Sequence, residues 1–262
     1  MPKFFSEKGF DVLLVSAAAI GYLYVLAQPT PRLLYVLSNG LPPVLAFIAF
    51  VFAVAGLVRN GALRDRIAIV WLAYTFGIFL WLLGESTWGV YALVYHVATP
   101  FPSTADLFWL AGYVPLMYAT VLQAWPFRDF LLSKRMLTII GAVLGVACLL
   151  LAALVPPTYS SAVGASPVGA LVVLAYPFLD VALLVVSFPI LFLFGRGKFW
   201  RPFLFIIVGL IFSFLADVLF TWTTLNGTYY DGNFFELFFH WSYLAFAYGF
   251  YLRFRSRIGA VN

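Results

Sequence analysis

Six carboxyl side chains, Glu85, Asp106, Asp180, Asp217, Asp231 and Glu236, lie within long apolar runs or at their ends. A charge held in hydrocarbon costs at least ~2.5–3.5 kcal/mol, so such groups normally face a bundle interior or a cavity and mark ligand, proton or ion sites. Helical spacing identifies the neighbours that share each face. Ser213, Asp217, Thr221 and Thr224 form one polar stripe, and Tyr176, Asp180 and Ser187 a second, in which Pro177 frees a backbone carbonyl. Glu236, His240 and Tyr243 make a third, Asp106, Leu110 and Tyr113 a fourth, and Trp81, Glu85 and Trp88 a fifth. Converging, these stripes would enclose a pocket of acids and aromatics with Asp180 at its floor. Its main polar contacts would be Asp180 and Asp217, joined by Glu85, His240, Tyr176, Tyr243, Trp81, Glu236 and Asp106. The competing reading is structural, with each acid fastening two helices through Tyr, Ser or His. For Asp106 and Glu236 that reading is the stronger, because acids at helix starts cap free amides and favour the dipole.

Other chemistries are poorly supplied. Glu236 and His240 project together at i, i+4, but bundle metal sites use a Glu-x-x-His spacing, and His96 is the only other histidine. No metal site is assigned, and no particular cofactor is indicated. Retinal would need a lysine inside a late helix, whereas Lys3, Lys8, Lys134 and Lys198 all stand at helix ends. The single cysteine, Cys148, excludes a disulfide framework and a Cys-x-x-Cys-His haem attachment. Walker, Gly-x-Ser-x-Gly and His-Glu-x-x-His motifs are absent, and no nucleophile–base pair is identifiable, so an enzyme is not expected.

The elements that must position these residues follow from composition. Of 262 residues, 64% are hydrophobic and 10% charged, against about a quarter charged in a soluble domain. Disordered and collagen-like chains are excluded by the same numbers. Apolar runs fall at about 11–27, 41–58, 67–95, 106–124, 137–155, 168–194, 203–224 and 234–252. Each is long enough to cross a ~30 Å hydrocarbon core at ~1.5 Å per residue. Backbone groups cannot go unpaired in lipid, so the runs must be helices. The alternating ~10-residue segments of a β-barrel are absent. The breaks carry Pro29 and Pro31, Arg59-Asn60-Gly61, Pro100 to Ser103, Pro156-Pro157, Gly195-Arg196-Gly197 and Asn226-Gly227. The expectation is an all-α polytopic bundle of eight transmembrane helices in the cytoplasmic membrane, residues 1–262 forming one membrane domain. The second run is the least regular, with Leu33 to Leu37 read as an interfacial turn before Gly40-Leu41-Pro42-Pro43. The first is read as an uncleaved helix, since no cleavage site follows Ala17-Ala18-Ala19.

With eight spans, fourteen of the fifteen basic residues fall in one set of connections and at the termini, and only Arg32 in the other. The positive-inside rule then places both termini in the cytoplasm. Topology and anionic lipid account for the net charge of +5, so a nucleic-acid partner is not expected. The buried acids gather in the outer half. Asp180 lies ~18 Å in from the outer start of its run, and Asp217 ~21 Å up from the inner start of its own.

Two stretches align without gaps. Gly77 to Glu85 matches Gly209 to Asp217, and Asp106 to Tyr113 matches Glu236 to Tyr243. Offsets of 132 and 130 residues each equal four spans and preserve orientation. They suggest a parallel duplication of a four-helix unit, residues 1–130 and 131–262. Asp180 breaks the pattern, with no acid near residue 49.

The stretch Pro100-Phe101-Pro102-Ser103-Thr104-Ala105-Asp106-Leu107-Phe108-Trp109-Leu110-Ala111-Gly112-Tyr113 resembles multi-span membrane regions placed ahead of GGDEF diguanylate-cyclase, EAL and sensor-kinase domains in bacteria. So do Ala175-Tyr176-Pro177-Phe178-Leu179-Asp180 and Leu215-Ala216-Asp217-Val218-Leu219-Phe220. The likeness covers roughly residues 75–252 and implies Asp106, Asp180 and Asp217 as recurring positions, without implying a ligand. Ten residues follow Leu252, so output is expected to pass through a membrane or cytoplasmic partner. The expected function is a membrane sensor or ligand-binding module with an outward-opening pocket for a small molecule or ion. The alternative is a small-solute, cation or proton transporter of two four-helix repeats. Against it stands the absence of ionisable residues from the inner half of the spans.

Overall fold

Apolar runs with no water to satisfy their amides must bond internally, and the computed structural model has no strand among the residues it describes, 8–60, 66–97, 99–163, 167–194 and 200–256. Its helices are α1 (Lys8–Ala27), α2 (Pro31–Asn60), α3 (Arg66–Leu93), α4 (Thr104–Ala124), the single turn α5 (Arg128–Leu131), α6 (Lys134–Val163), α7 (Pro167–Phe194), α8 (Trp200–Leu225) and α9 (Leu237–Arg255). A 3₁₀ turn at Trp125–Phe127 precedes α5, and another at Phe234–Glu236 leads into α9. Arg64, Asp65, Arg196 and Lys198, with the breaks they occupy, lie outside the described residues, as do Lys3, Glu7 and Arg257. Among the described residues, six helices are long and apolar enough to cross a membrane: α1, α2, α3, α4 with its extension to Leu131, and the main parts of α7 and α8.

One of the expected breaks is absent, and α2 is longer than its apolar run. It runs unbroken from Pro31 through Pro42 and Pro43, so Leu33 to Leu37 belong to the same helix as the span that follows. Proline removes an amide donor without forbidding helical φ. The Asn39 carbonyl, which would have accepted from residue 43, instead faces Gly89 of α3, where an added Cβ would lie 3.0 Å from it. Helix α6 likewise continues through Pro156 and Pro157.

Hydrogen bonds fix which ends meet. Arg66 donates to the Leu122 carbonyl at 2.6 Å, and Asn60 to the Arg253 carbonyl at 3.3 Å, gathering the basic ends of α2, α3, α4 and α9. At the opposite end Tyr35 donates to the Ala92 carbonyl at 2.9 Å and Gln28 to the Gly232 carbonyl at 3.3 Å. Helix α9 lies innermost, packed by α1, α2 and α8. That position explains how a segment carrying His240, Ser242, Tyr243 and Arg253, all buried, is tolerated: protein rather than lipid surrounds it.

The pairings repeat. α2 packs on α3 as α7 does on α8, α3 on α4 as α8 on α9, and α2 on α9 as α7 on α4. At the α3–α4 crossing, a Cβ on Gly77 would stand 2.5 Å from Leu116; at the α8–α9 crossing, one on Gly209 would stand 2.5 Å from Phe246. Gly209 follows Gly77 by 132 residues and Phe246 follows Leu116 by 130.

Candidate functional site

The ends of α3, α4, α7, α8 and α9 away from the basic residues surround a cavity of about 480 Å³. Four carboxyls line it, those of Glu85, Asp106, Asp217 and Glu236, together with His240, Tyr176, Tyr243 and Trp81. Eight of the nine residues expected from the sequence therefore share one wall. The ninth, Asp180, does not reach it. It is 3% exposed and stands behind its hydroxyl donor Tyr113, which lines the cavity in its place.

Tyrosines supply the donors, mostly from another helix. Tyr113 of α4 donates to Asp180 Oδ1 of α7 at 2.6 Å, and Tyr176 of α7 donates to Asp106 Oδ1 of α4 at 2.8 Å, so these helices exchange acids and hydroxyls. Tyr243 of α9 donates to Glu85 Oε1 of α3 at 2.8 Å. Glu236 accepts from Tyr229 at 3.1 Å, from the Gly232 amide at 3.1 Å and lies 3.3 Å from the Tyr24 hydroxyl of α1. Burial first, then the Glu236 charge, pushes the Tyr229 hydroxyl above the usual tyrosine range and keeps it a donor.

Asp106 combines both roles weighed for it. Its Oδ2 accepts from the Ser103 amide at 2.7 Å and closes a capping box with the Ser103 hydroxyl, which itself accepts from the Ala105 amide at 3.1 Å. Its Oδ1 is left for Tyr176. His240 is fully buried, its Nδ1 2.7 Å from the Glu236 carbonyl, to which it must donate, and its Nε2 3.2 Å from the Tyr24 hydroxyl. Both nitrogens are engaged, and His96 is exposed and outside the cavity wall.

Asp217 is the exception. Among the described residues it has no hydroxyl or amide donor; the group against it is the Asp180 carboxyl. The cause lies in the pairings above. Tyr113 and Tyr243 occupy matching positions, yet Tyr243 reaches Glu85 whereas Tyr113 reaches Asp180 rather than Asp217. Asp180 has the buried Ala49 at the corresponding place on α2, so only one half has a second acid to take the hydroxyl.

The polar stripe on α8 is placed as its spacing predicts: Ser213, Asp217, Thr221 and Thr224 all line the cavity. Aromatic walls complete it. Trp88 and Trp109 lie with centroids 5.9 Å apart, Trp81 meets Tyr113 edge-on at 5.4 Å, and the Trp81 indole donates to the Trp109 carbonyl at 3.0 Å. Sequence reasoning missed Trp109, Tyr229 and Tyr24. Trp109 stands inside the quoted Pro-Ser-x-Ala-Asp stretch and was within reach of a helical-face argument. Tyr24 sits in an apolar run whose only polar neighbour at i±3 or i±4 is Gln28, and no acid marks its face. Asp231 belongs elsewhere, accepting from Asn39 at 3.3 Å and tying α2 to the loop before α9. No family model, curated protein or solved structure matches the chain.

Proposed function

We propose that the chain is an integral membrane sensor or ligand-binding module of the cytoplasmic membrane. In this reading it has eight spans, two parallel four-helix repeats and both termini in the cytoplasm. The observation that carries it is the cavity of about 480 Å³, walled by four carboxyls, tyrosine hydroxyls and three indoles. Its size falls within the roughly 300–1,000 Å³ typical of small-molecule sites. The side chains most costly to bury in a membrane converge there from helices distant in sequence, which favours a site over scattered helix fasteners.

Orientation follows from charge. Arg59, Arg66, Lys134, Arg135, Arg201, Arg253 and Arg255 sit at helix ends away from the cavity, and Arg32 at the cavity end. The positive-inside rule then opens the cavity outward. The repeated helix pairings support the two four-helix units, and the resemblance to membrane regions ahead of cyclase and kinase domains supports sensing. Ligand bound between α3, α4, α8 and α9 would favour one packing of these helices and so bias an associated protein.

Ligand-dependent thermal stability of the purified protein tests the reading. A compound that raises the midpoint of the natural chain should lose its effect in the Asp180→Asn, Asp217→Asn double variant. An unchanged response of that variant to every stabilising compound would show the site to be elsewhere. Proteoliposomes should carry no flux of such a compound; measurable flux would favour the transporter instead.

A further inference from the structure

We infer that the cavity takes an organic cation, its ammonium-type head set against Asp217 and Glu85 and its apolar body among Trp81, Trp88, Trp109 and Phe239. This rests on the reading of the cavity as a ligand site and narrows it to a chemical class. Charge is the first argument. Four carboxyls line the cavity, and among the described residues no lysine or arginine does. His240 donates through Nδ1 and meets the Tyr24 hydroxyl through Nε2, so it offers no positive charge to the space. Glu85, Asp106 and Glu236 each have a tyrosine donor. Asp217 has no tyrosine donor, and the group set against it is the buried Asp180 carboxyl. Two carboxylates set against each other are costly unless a proton, a donor or a cation answers them. Glu85 lines the same cavity.

The walls are the second argument. Indole faces attract ammonium groups through the ring quadrupole, tryptophan most strongly. Three tryptophans here border a space that also holds Phe101, Phe220 and Phe239. A bare metal ion suits it less well, since no group of three or more His, Cys, Asp or Glu among the described residues is placed to hold one.

The test uses full-length protein in nanodiscs, with thermal midpoints recorded against benzyltrimethylammonium, its neutral carbon isostere neopentylbenzene, and phenylacetate. Benzyltrimethylammonium should stabilise the natural chain most. Its apparent affinity should fall at least about tenfold in Asp217→Asn, while neopentylbenzene binds both proteins alike. That variant should fold, because its amide can donate to Asp180 Oδ2; should it not, Glu85→Gln carries the same comparison. If neopentylbenzene or phenylacetate matches the cation, or the cation's affinity survives loss of the carboxylate, the cation assignment falls and the cavity remains a ligand site of another class. If none of the three shifts any midpoint, both readings fall.

Discussion

Asp217 separates stability from function at the level of one side chain. Its carboxyl lies against that of Asp180, and among the described residues no hydroxyl or amide donates to it. Replacing it with asparagine supplies an N–H for Asp180 Oδ2 and removes a like charge. The ligand-free protein should gain about 1–3 kcal/mol, the usual penalty of an unsatisfied buried group, seen as a higher unfolding midpoint in detergent. A midpoint at or below that of the natural chain would mean the pair is already satisfied. The same change should abolish the response to an ammonium probe, the trade-off expected of a binding group held in an unfavourable environment. Glu85 behaves oppositely. Tyr243→Phe strips its 2.8 Å donor and should cost about 1–3 kcal/mol. A cycle of Tyr243→Phe with Glu85→Gln should give a coupling energy of roughly 0.5–3 kcal/mol; additivity would mean the bond contributes nothing net.

Glycines set how closely the helices of each half approach. Gly77 against Leu116 and Gly209 against Phe246 leave no space for a methyl group. Gly77→Ala and Gly209→Ala should each force the crossing apart at a cost of about 1–3 kcal/mol, and should also widen or distort the cavity, since Glu85 and Asp217 lie two turns further along the same helices. Thermal unfolding and probe affinity should therefore worsen together; a loss of stability with unchanged affinity would mean the crossing does not set the site. These elements were legible in the sequence because hydrophobic length and helical spacing are local properties. The stripe Ser213, Asp217, Thr221, Thr224 and the trio Trp81, Glu85, Trp88 face the cavity as their spacing requires. Two things were not local. Pro156 and Pro157 read as a stop, yet a helix continues through them, as through Pro42 and Pro43, and loses only the bonds their amides would have made. Which hydroxyl each acid receives depends on helix neighbours far apart in sequence, so Tyr24 on Glu236 and Tyr113 on Asp180 could not be read in advance.

Across the whole molecule, the segregation of basic residues ties the cavity to one side of the membrane, and the number of crossings decides which. Helix α6 is the critical case, because it joins the two halves and carries the apolar stretch 137–154. Its packing argues that it spans. Val146 and Leu149 are exposed, 61% and 74%, on a 30-residue helix that packs on α7 and α8. Apolar groups turned away from the bundle over such a length need hydrocarbon to cover them. If α6, α7 and α8 all cross, Asp129 and Thr228 lie on opposite faces. Single cysteines can be placed at either position in a Cys148→Ser background, since both native residues are exposed. A membrane-impermeant maleimide on intact cells should then label T228C, and D129C only after permeabilisation. Labelling of both from outside, or of neither, would mean that α6 does not cross and the span count is odd. The reverse pattern would keep eight spans but turn the cavity toward the cytoplasm, so that its ligand would come from inside the cell.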